Sequence, residues 1–228
     1  MAKPKLINNL PILNKTIIHW NKVETALGEA VTLPDGTTRD GATDLATSIK
    51  DTESGLIATR NDLSTAQGER DSTRIAVHTA AKQARISLRG LAKNVPEVNG
   101  LPKLPTLTTA PATLLALYDD IANIWERVNG LPQASVPAAK LPLRIPLMED
   151  NALVHVTHPE FVTRVEALRT AVQTLAELEL NVSTGIGTRD RLHKQAATIT
   201  KDYGAAVRGL LPTGHPLLKI IPTLSAAP

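Results

Sequence analysis

An all-α fold that uses one helical unit twice follows from three features of this 228-residue sequence. The first is an internal repeat at a spacing of 119 positions: Ser64-Thr65 returns as Ser183-Thr184, Gly68 as Gly187 and Arg70-Asp71 as Arg189-Asp190. Thr79 then returns as Thr198, Lys82 as Lys201 and Arg89-Gly90-Leu91 as Arg208-Gly209-Leu210, giving 10 identities over the 28 positions from Ser64 to Leu91 without a gap. After a short slip, Pro105-Thr106-Leu107 also matches Pro222-Thr223-Leu224. Repeated units of this kind bury their apolar faces against one another and so govern architecture. The second feature is apolar spacing of the 4-3 helical type. The third is scarcity of aromatics, with two Trp, two Tyr and one Phe. A core without aromatics is aliphatic and alanine-rich, which suits helices at close range. Together these predict duplicated antiparallel helical hairpins forming a four-helix-bundle-like core, with accessory helices, a small β-hairpin and extended proline-rich arms.

Residues 1–13 hold Pro4, Pro11, Leu6, Leu10 and Ile12, and read as an extended N-terminal arm. Residues 14–98 form the first helical repeat. It opens with a helix over 14–31, and Pro34-Asp35-Gly36 between Thr-rich flanks signals a turn that closes a small β-hairpin near Val31 to Arg39. Val23-Glu24 and Ala26-Leu27 resemble Val165-Glu166 and Ala167-Leu168, which places an insertion near 32–44 in this copy. Thr73, Val77, Ala80, Ala84, Ser87 and Leu91 then form a helical seam, with a partner helix over 44–62. Residues 42–94 are open to two readings, one long helix or a hairpin.

Residues 99–156 are a proline-rich connector with one helix over 112–128, whose face carries Tyr118, Ile121 and Trp125. Asn-Gly-Leu-Pro at 99–102 and again at 129–132 supplies stop signals on both sides. From Pro132 to Pro146 the prolines forbid helix while Leu141, Leu143, Ile145 and Leu147 alternate, the pattern of an arm laid over an apolar groove. Residues 157–211 are the second repeat. Thr157 and Glu160 have capping-box spacing, with Pro159 in the first turn. Phe161, Val165, Leu168, Val172 and Leu175 share one stripe, and Leu192, Ala196, Ile199, Tyr203, Ala206 and Leu210 another. Asn181 to Gly187, with two glycines, reads as the break between them. Residues 212–228 form an extended C-terminal arm carrying Leu217, Leu218, Ile220 and Ile221.

Composition narrows the function. The net charge of +3, from 25 basic and 22 acidic residues, is small, and the basic residues alternate with acids and lack aromatic platforms, which argues against nucleic acid despite a pI of 9.2. Cysteine is absent, so disulfides and thiolate chemistry are excluded. The start lacks the apolar core of a secretory signal, and no stretch approaches the roughly 18 apolar residues of a membrane span. A soluble protein without membrane insertion is expected, with its compartment open and an extracellular or virion assembly among the options.

The candidate chemistry is sparse. His155, His158 and Glu160 form a His-x-x-His-x-Glu cluster, nominally three metal ligands. Against that, Glu160 already has a task at the helix start, and His155 lies in an extended segment whose side chains alternate. Arg70-Asp71 and Arg189-Asp190 suit helix pairing better than a ligand. Gly185-x-Gly187 lacks the strand a dinucleotide fingerprint requires. His78, His193 and Tyr203 are the polar residues of the second helices that a small-molecule or metal site would need. No catalytic, cofactor-binding or metal residue is therefore assigned, and no cofactor. The expectation is a non-enzymatic structural or assembly protein of virion, surface-layer or filament type. Its partners would be its own copies or another protein, met through residues 1–13, 132–146 and 212–228. The alternatives are a monomeric helical binding or adaptor protein whose arms fold back, and a metal-dependent enzyme using His155 and His158.

Overall fold

The computed structural model of the chain describes residues 8–91, 95–137 and 140–224. Among them lie four α-helices: α1 (Leu10–Leu27), α2 (Arg39–Leu91), α3 (Pro111–Asn129) and α4 (His158–Leu210). A two-stranded antiparallel sheet, β1 (Ile145–Glu149) and β2 (Ala152–Val156), and 3-10 turns at Pro96–Gly100, Gln133–Ser135 and Pro216–Ile220 complete the described elements.

α2 and α4 are each 53 residues long. The break expected over Asn181 to Gly187 is absent, and α4 runs straight through it. The glycines there have another use. A Cβ on Gly185 would stand 2.8 Å from Leu56 Cδ2, so glycine permits close approach of the two helices, while Gly187 has open space around it. Neither adopts the left-handed backbone that ends a helix. The open choice over 42–94 resolves as a single helix to Leu91, residues 92–94 lying outside those described. α2 and α4 are thus each one continuous helix; a hairpin was expected in the second stretch and the choice was open in the first.

By internal contacts the chain forms two compact units. The first comprises residues 8–61 and 180–224. Here α1 carries Pro11 in its first turn and ends at Gly28, whose φ of 75° lets its N–H reach the Glu24 carbonyl at 2.8 Å. Leu13, Thr16, Trp20 and Val23 form its buried stripe and pack with Leu45 and Ile49 of α2 and Leu192, Ala196, Ile199 and Tyr203 of α4. The helix begins before the expected 14, so residues 10–13 belong to α1 and not to an extended arm, because proline is tolerated in a first turn. Leu6 and Pro4 lie outside the described residues.

The Pro34-Asp35-Gly36 turn forms in this unit, with Gly36 at φ 84° and its N–H donating to the Leu33 carbonyl at 2.9 Å. Only one bridge, Thr32 to Thr38, extends it, because α2 starts at the next residue. The described part of the 212–228 arm lies on its own unit: Ile221 is buried in this core, with Leu217 and Leu218 packed against it.

The second unit comprises the described residues of 62–179. Leu114, Tyr118, Ile121, Trp125 and Val128 of α3 are buried against Val77, Ala80, Ala81, Ala84 and Leu88 of α2 and Phe161, Val165 and Leu168 of α4. Small alanines on α2 leave room for the large rings on α3, and the Trp125 and Phe161 centroids stand 5.8 Å apart. At the α4 start the Glu160 half of the capping box forms, with Thr157 N and Oγ both donating to Glu160 Oε2 at 2.7 and 2.8 Å.

The 132–146 segment is covered in place, since Val136, Leu143 and Ile145 are buried in this core; residues 138–139 lie outside those described. It opens with the 3-10 turn at Gln133–Ser135 and its last two residues, Ile145 and Pro146, begin β1. The β1–β2 hairpin was not anticipated. Asp150 and Asn151, at φ 47° and 64°, form the two-residue turn, the left-handed pair that matches strand twist. Ile145, Leu147 and Val156 face inward, whereas Met148 and its cross-strand partner Leu153 are exposed.

Candidate functional site

The buried polar groups of the first unit connect α1 to α4 and to both ends of the described chain. His19 projects from α1 among apolar neighbours. Its Nε2 lies 2.9 Å from the Leu217 carbonyl and its Nδ1 2.6 Å from Tyr203 Oη. A carbonyl only accepts, so Nε2 carries the proton, and the Tyr203 hydroxyl donates to Nδ1. Burial holds the Tyr203 phenol well above its usual range. Trp20 stacks on the Tyr203 ring at 4.7 Å.

Nearly three helical turns away, the Asn9 N–H donates to His193 Nδ1 at 3.3 Å and Asn9 Nδ2 donates to the His193 carbonyl at 2.8 Å. Because Nδ1 accepts, Nε2–H points at Glu53 Oε1, 3.1 Å away. A His–Glu pair of this kind can orient an imidazole for proton transfer. Here, however, Nδ1 is occupied by main chain and His193 is 2% exposed, which leaves no ring nitrogen facing a substrate.

In the second unit His78 Nδ1 lies 2.9 Å from Tyr118 Oη, and His78 Nε2 has no partner among the described residues. Burial, aided by the positive charges of Lys82 and Arg74, lowers the His78 pKa and keeps the ring neutral. Burial pushes the Tyr118 phenol up to about 12. The pair is therefore a neutral hydrogen bond fastening α2 to α3. Ion pairs dress the surface: Arg169 bridges Asp119, at 2.8 Å, and Glu166, while Arg164 holds Glu149.

The candidate metal cluster does not assemble. His155 is exposed on β2, His158 turns edge-on to the Trp125 ring at 5.8 Å, and the Glu160 carboxylate accepts from Thr157 at the helix start. Among the described residues no group of three His, Cys, Asp or Glu is placed to hold a metal ion. His193 and Tyr203 join the first unit's network and His78 the second unit's pair, each bonded to a different partner. Arg70 and Arg189 each fold onto the aspartate that follows, at 2.8 and 2.9 Å.

Among its described residues the second unit has open grooves. One of about 700 Å³ is lined by small residues of α2 and α4, including Ala66, Gly68, Ala167 and Ala171. Another, of about 530 Å³, is lined by Asp119, Asn123, Glu126 and His158 among others. His19, Asn9 and Glu53 escaped the sequence reading. His19 had a signal: it precedes Trp20 on a helix with an apolar stripe, where a histidine needs an internal partner. No protein-family model matches the chain, and neither a curated protein nor a solved structure matches it.

Proposed function

We propose that the chain is a non-enzymatic structural protein, an internally duplicated helical building block of a larger assembly such as a virion, surface layer or filament. Duplication is supported by order: a short helix, a turn or hairpin, a 53-residue helix and a 3-10 turn occur twice in the same sequence. The assembly reading is carried by one observation. Ile18, Ile57, Ile75, Ile86, Met148, Leu153, Leu180 and Ile220 are each more than half exposed. Exposed aliphatic area marks contact surface where it is contiguous, as it is for Met148 and its cross-strand partner Leu153. The buried imidazoles support the non-enzymatic part, since their bonds fasten helices and chain ends.

A monomeric adaptor is the second reading, and a specific observation favours it: Leu217, Leu218 and Ile221 fold back on their own unit. Light scattering over a concentration series decides between the two. The assembly reading expects a mass above 24.4 kDa that rises with concentration. A constant monomer mass at every concentration rejects it in favour of the adaptor, and stoichiometric zinc or iron in the purified protein rejects the non-enzymatic assignment.

A further inference from the structure

We infer that β2 pairs edge to edge with β2 of a second copy, joining two hairpins into one antiparallel sheet across a two-fold axis. This rests on the assembly reading above and names its contact. The two-residue turn makes Glu149 and Ala152 a pair that exchanges both main-chain hydrogen bonds. Alternation then makes Leu147–Val154 and Ile145–Val156 bonded pairs too, and turns the main-chain groups of Pro146, Met148, Leu153 and His155 outward.

The two outer edges differ. On β1, Pro146 has no N–H to offer and its ring obstructs an incoming strand. On β2, Leu153 and His155 keep both N–H and C=O, and among the described residues neither main chain has a hydrogen-bond partner. Their side chains are exposed, Leu153 at 60%. β2 is therefore the edge that accepts a strand.

A second copy fits that edge better than an unrelated strand. The stretch Ala152–Val156 carries no Asp, Glu, Lys or Arg, so antiparallel self-pairing brings no like charges together. With the axis at Val154, Leu153 faces the partner's His155 and His155 the partner's Leu153, which satisfies every outward main-chain group of the strand. Met148, 63% exposed, then continues into one apolar strip with Leu153. Both new outer edges are β1, each blocked by Pro146, so growth stops at a closed pair. Five-residue strands give a short contact, so its affinity depends on the copies being concentrated, as they are in an assembly.

Two variants of the full chain test this. His155→Pro removes an outward N–H at the position directly opposite Pro146, where proline is already accommodated on the other strand. It is expected to halve the mass of the pairing species while leaving the circular dichroism spectrum and melting temperature unchanged. Val154→Cys supplies the sole thiol of a chain without cysteine. Across the axis two such residues stand at about 4.5 Å between Cα atoms, within disulfide range. Mild oxidation is expected to trap a covalent dimer, with Met148→Cys remaining monomeric as the control. If the unmodified chain assembles but His155→Pro keeps its mass and Val154→Cys does not cross-link, the strand contact is wrong and the assembly reading survives. If the unmodified chain is monomeric throughout and Val154→Cys does not cross-link, both fail.

Discussion

Tyr203 Oη meets His19 Nδ1 at 2.6 Å, and through the other nitrogen of that ring the contact extends to the Leu217 carbonyl at 2.9 Å. One imidazole thereby ties the first helix, the last helix and the C-terminal segment together. It does so with both ring nitrogens satisfied, which is the condition for burying histidine cheaply.

Tyr203→Phe should therefore destabilise the first unit by about 1–3 kcal/mol, the cost of leaving a buried nitrogen unpaired. Urea denaturation measures it. His19→Leu should add a second effect, earlier proteolytic cleavage within residues 211–224, because the Leu217 anchor is lost while apolar packing remains. Equal cleavage rates in His19→Leu and the parent would dismiss the anchoring role.

Two glycines in α4 should respond oppositely to alanine. At Gly187 nothing crowds an added methyl, so Gly187→Ala should gain up to about 1 kcal/mol from helix propensity. At Gly185 the methyl meets Leu56 Cδ2 at 2.8 Å and Cγ at 3.1 Å, so the same propensity gain is offset by displacement of a buried leucine. Denaturation midpoints should place Gly187→Ala above Gly185→Ala.

The Asp150-Asn151 turn should tolerate only certain residues. Asn151→Gly keeps φ near 64° without strain and should leave stability equal or higher. Asn151→Val forces a β-branched residue into the left-handed region and should cost about 1–2 kcal/mol. Thermal melts of the pair suffice, and equal melting temperatures would refute the turn assignment.

Acid should loosen the second unit through two carboxylates. Hydrogen bonds from Arg164 hold Glu149 below the usual carboxylate range, and the Thr157 N–H and hydroxyl do the same for Glu160. Depressed folded-state values mean that this stabilisation is present above the unfolded pKa, near 4.5, and disappears as pH falls through the lowered values. Arg164→Gln should flatten the dependence of melting temperature on pH below that point. An unchanged slope would show that the Arg164–Glu149 pair contributes nothing, as many exposed ion pairs do.

Local signals in the sequence were accurate where a single residue fixes local backbone. The Thr157–Glu160 cap, the α3 limits and the turn at Gly36 all rest on such residues, and each appears close to its expected place. The Asn181 to Gly187 break failed because glycine carries two meanings, helix end and close approach, and only Leu56 on another helix decides between them. The β1–β2 hairpin was legible but passed over. Asp-Asn between alternating Ile145, Leu147, Val154 and Val156 is a hairpin signal, masked by the prolines just before it. The polar network was the least visible part, since Asn9, Glu53 and His193 lie far apart in the chain and meet only after α2 and α4 pack.

Aromatic scarcity gives the molecule an optical property. Its two tryptophans fall one to each unit, Trp20 and Trp125, and both are wholly buried, each indole N–H directed at a main-chain carbonyl 3.3 Å away. Every photon of indole emission thus comes from one core or the other. Replacing either ring by phenylalanine leaves a single emitter, so the loosening of each half can be timed separately by colour and by quenching, without attaching a dye.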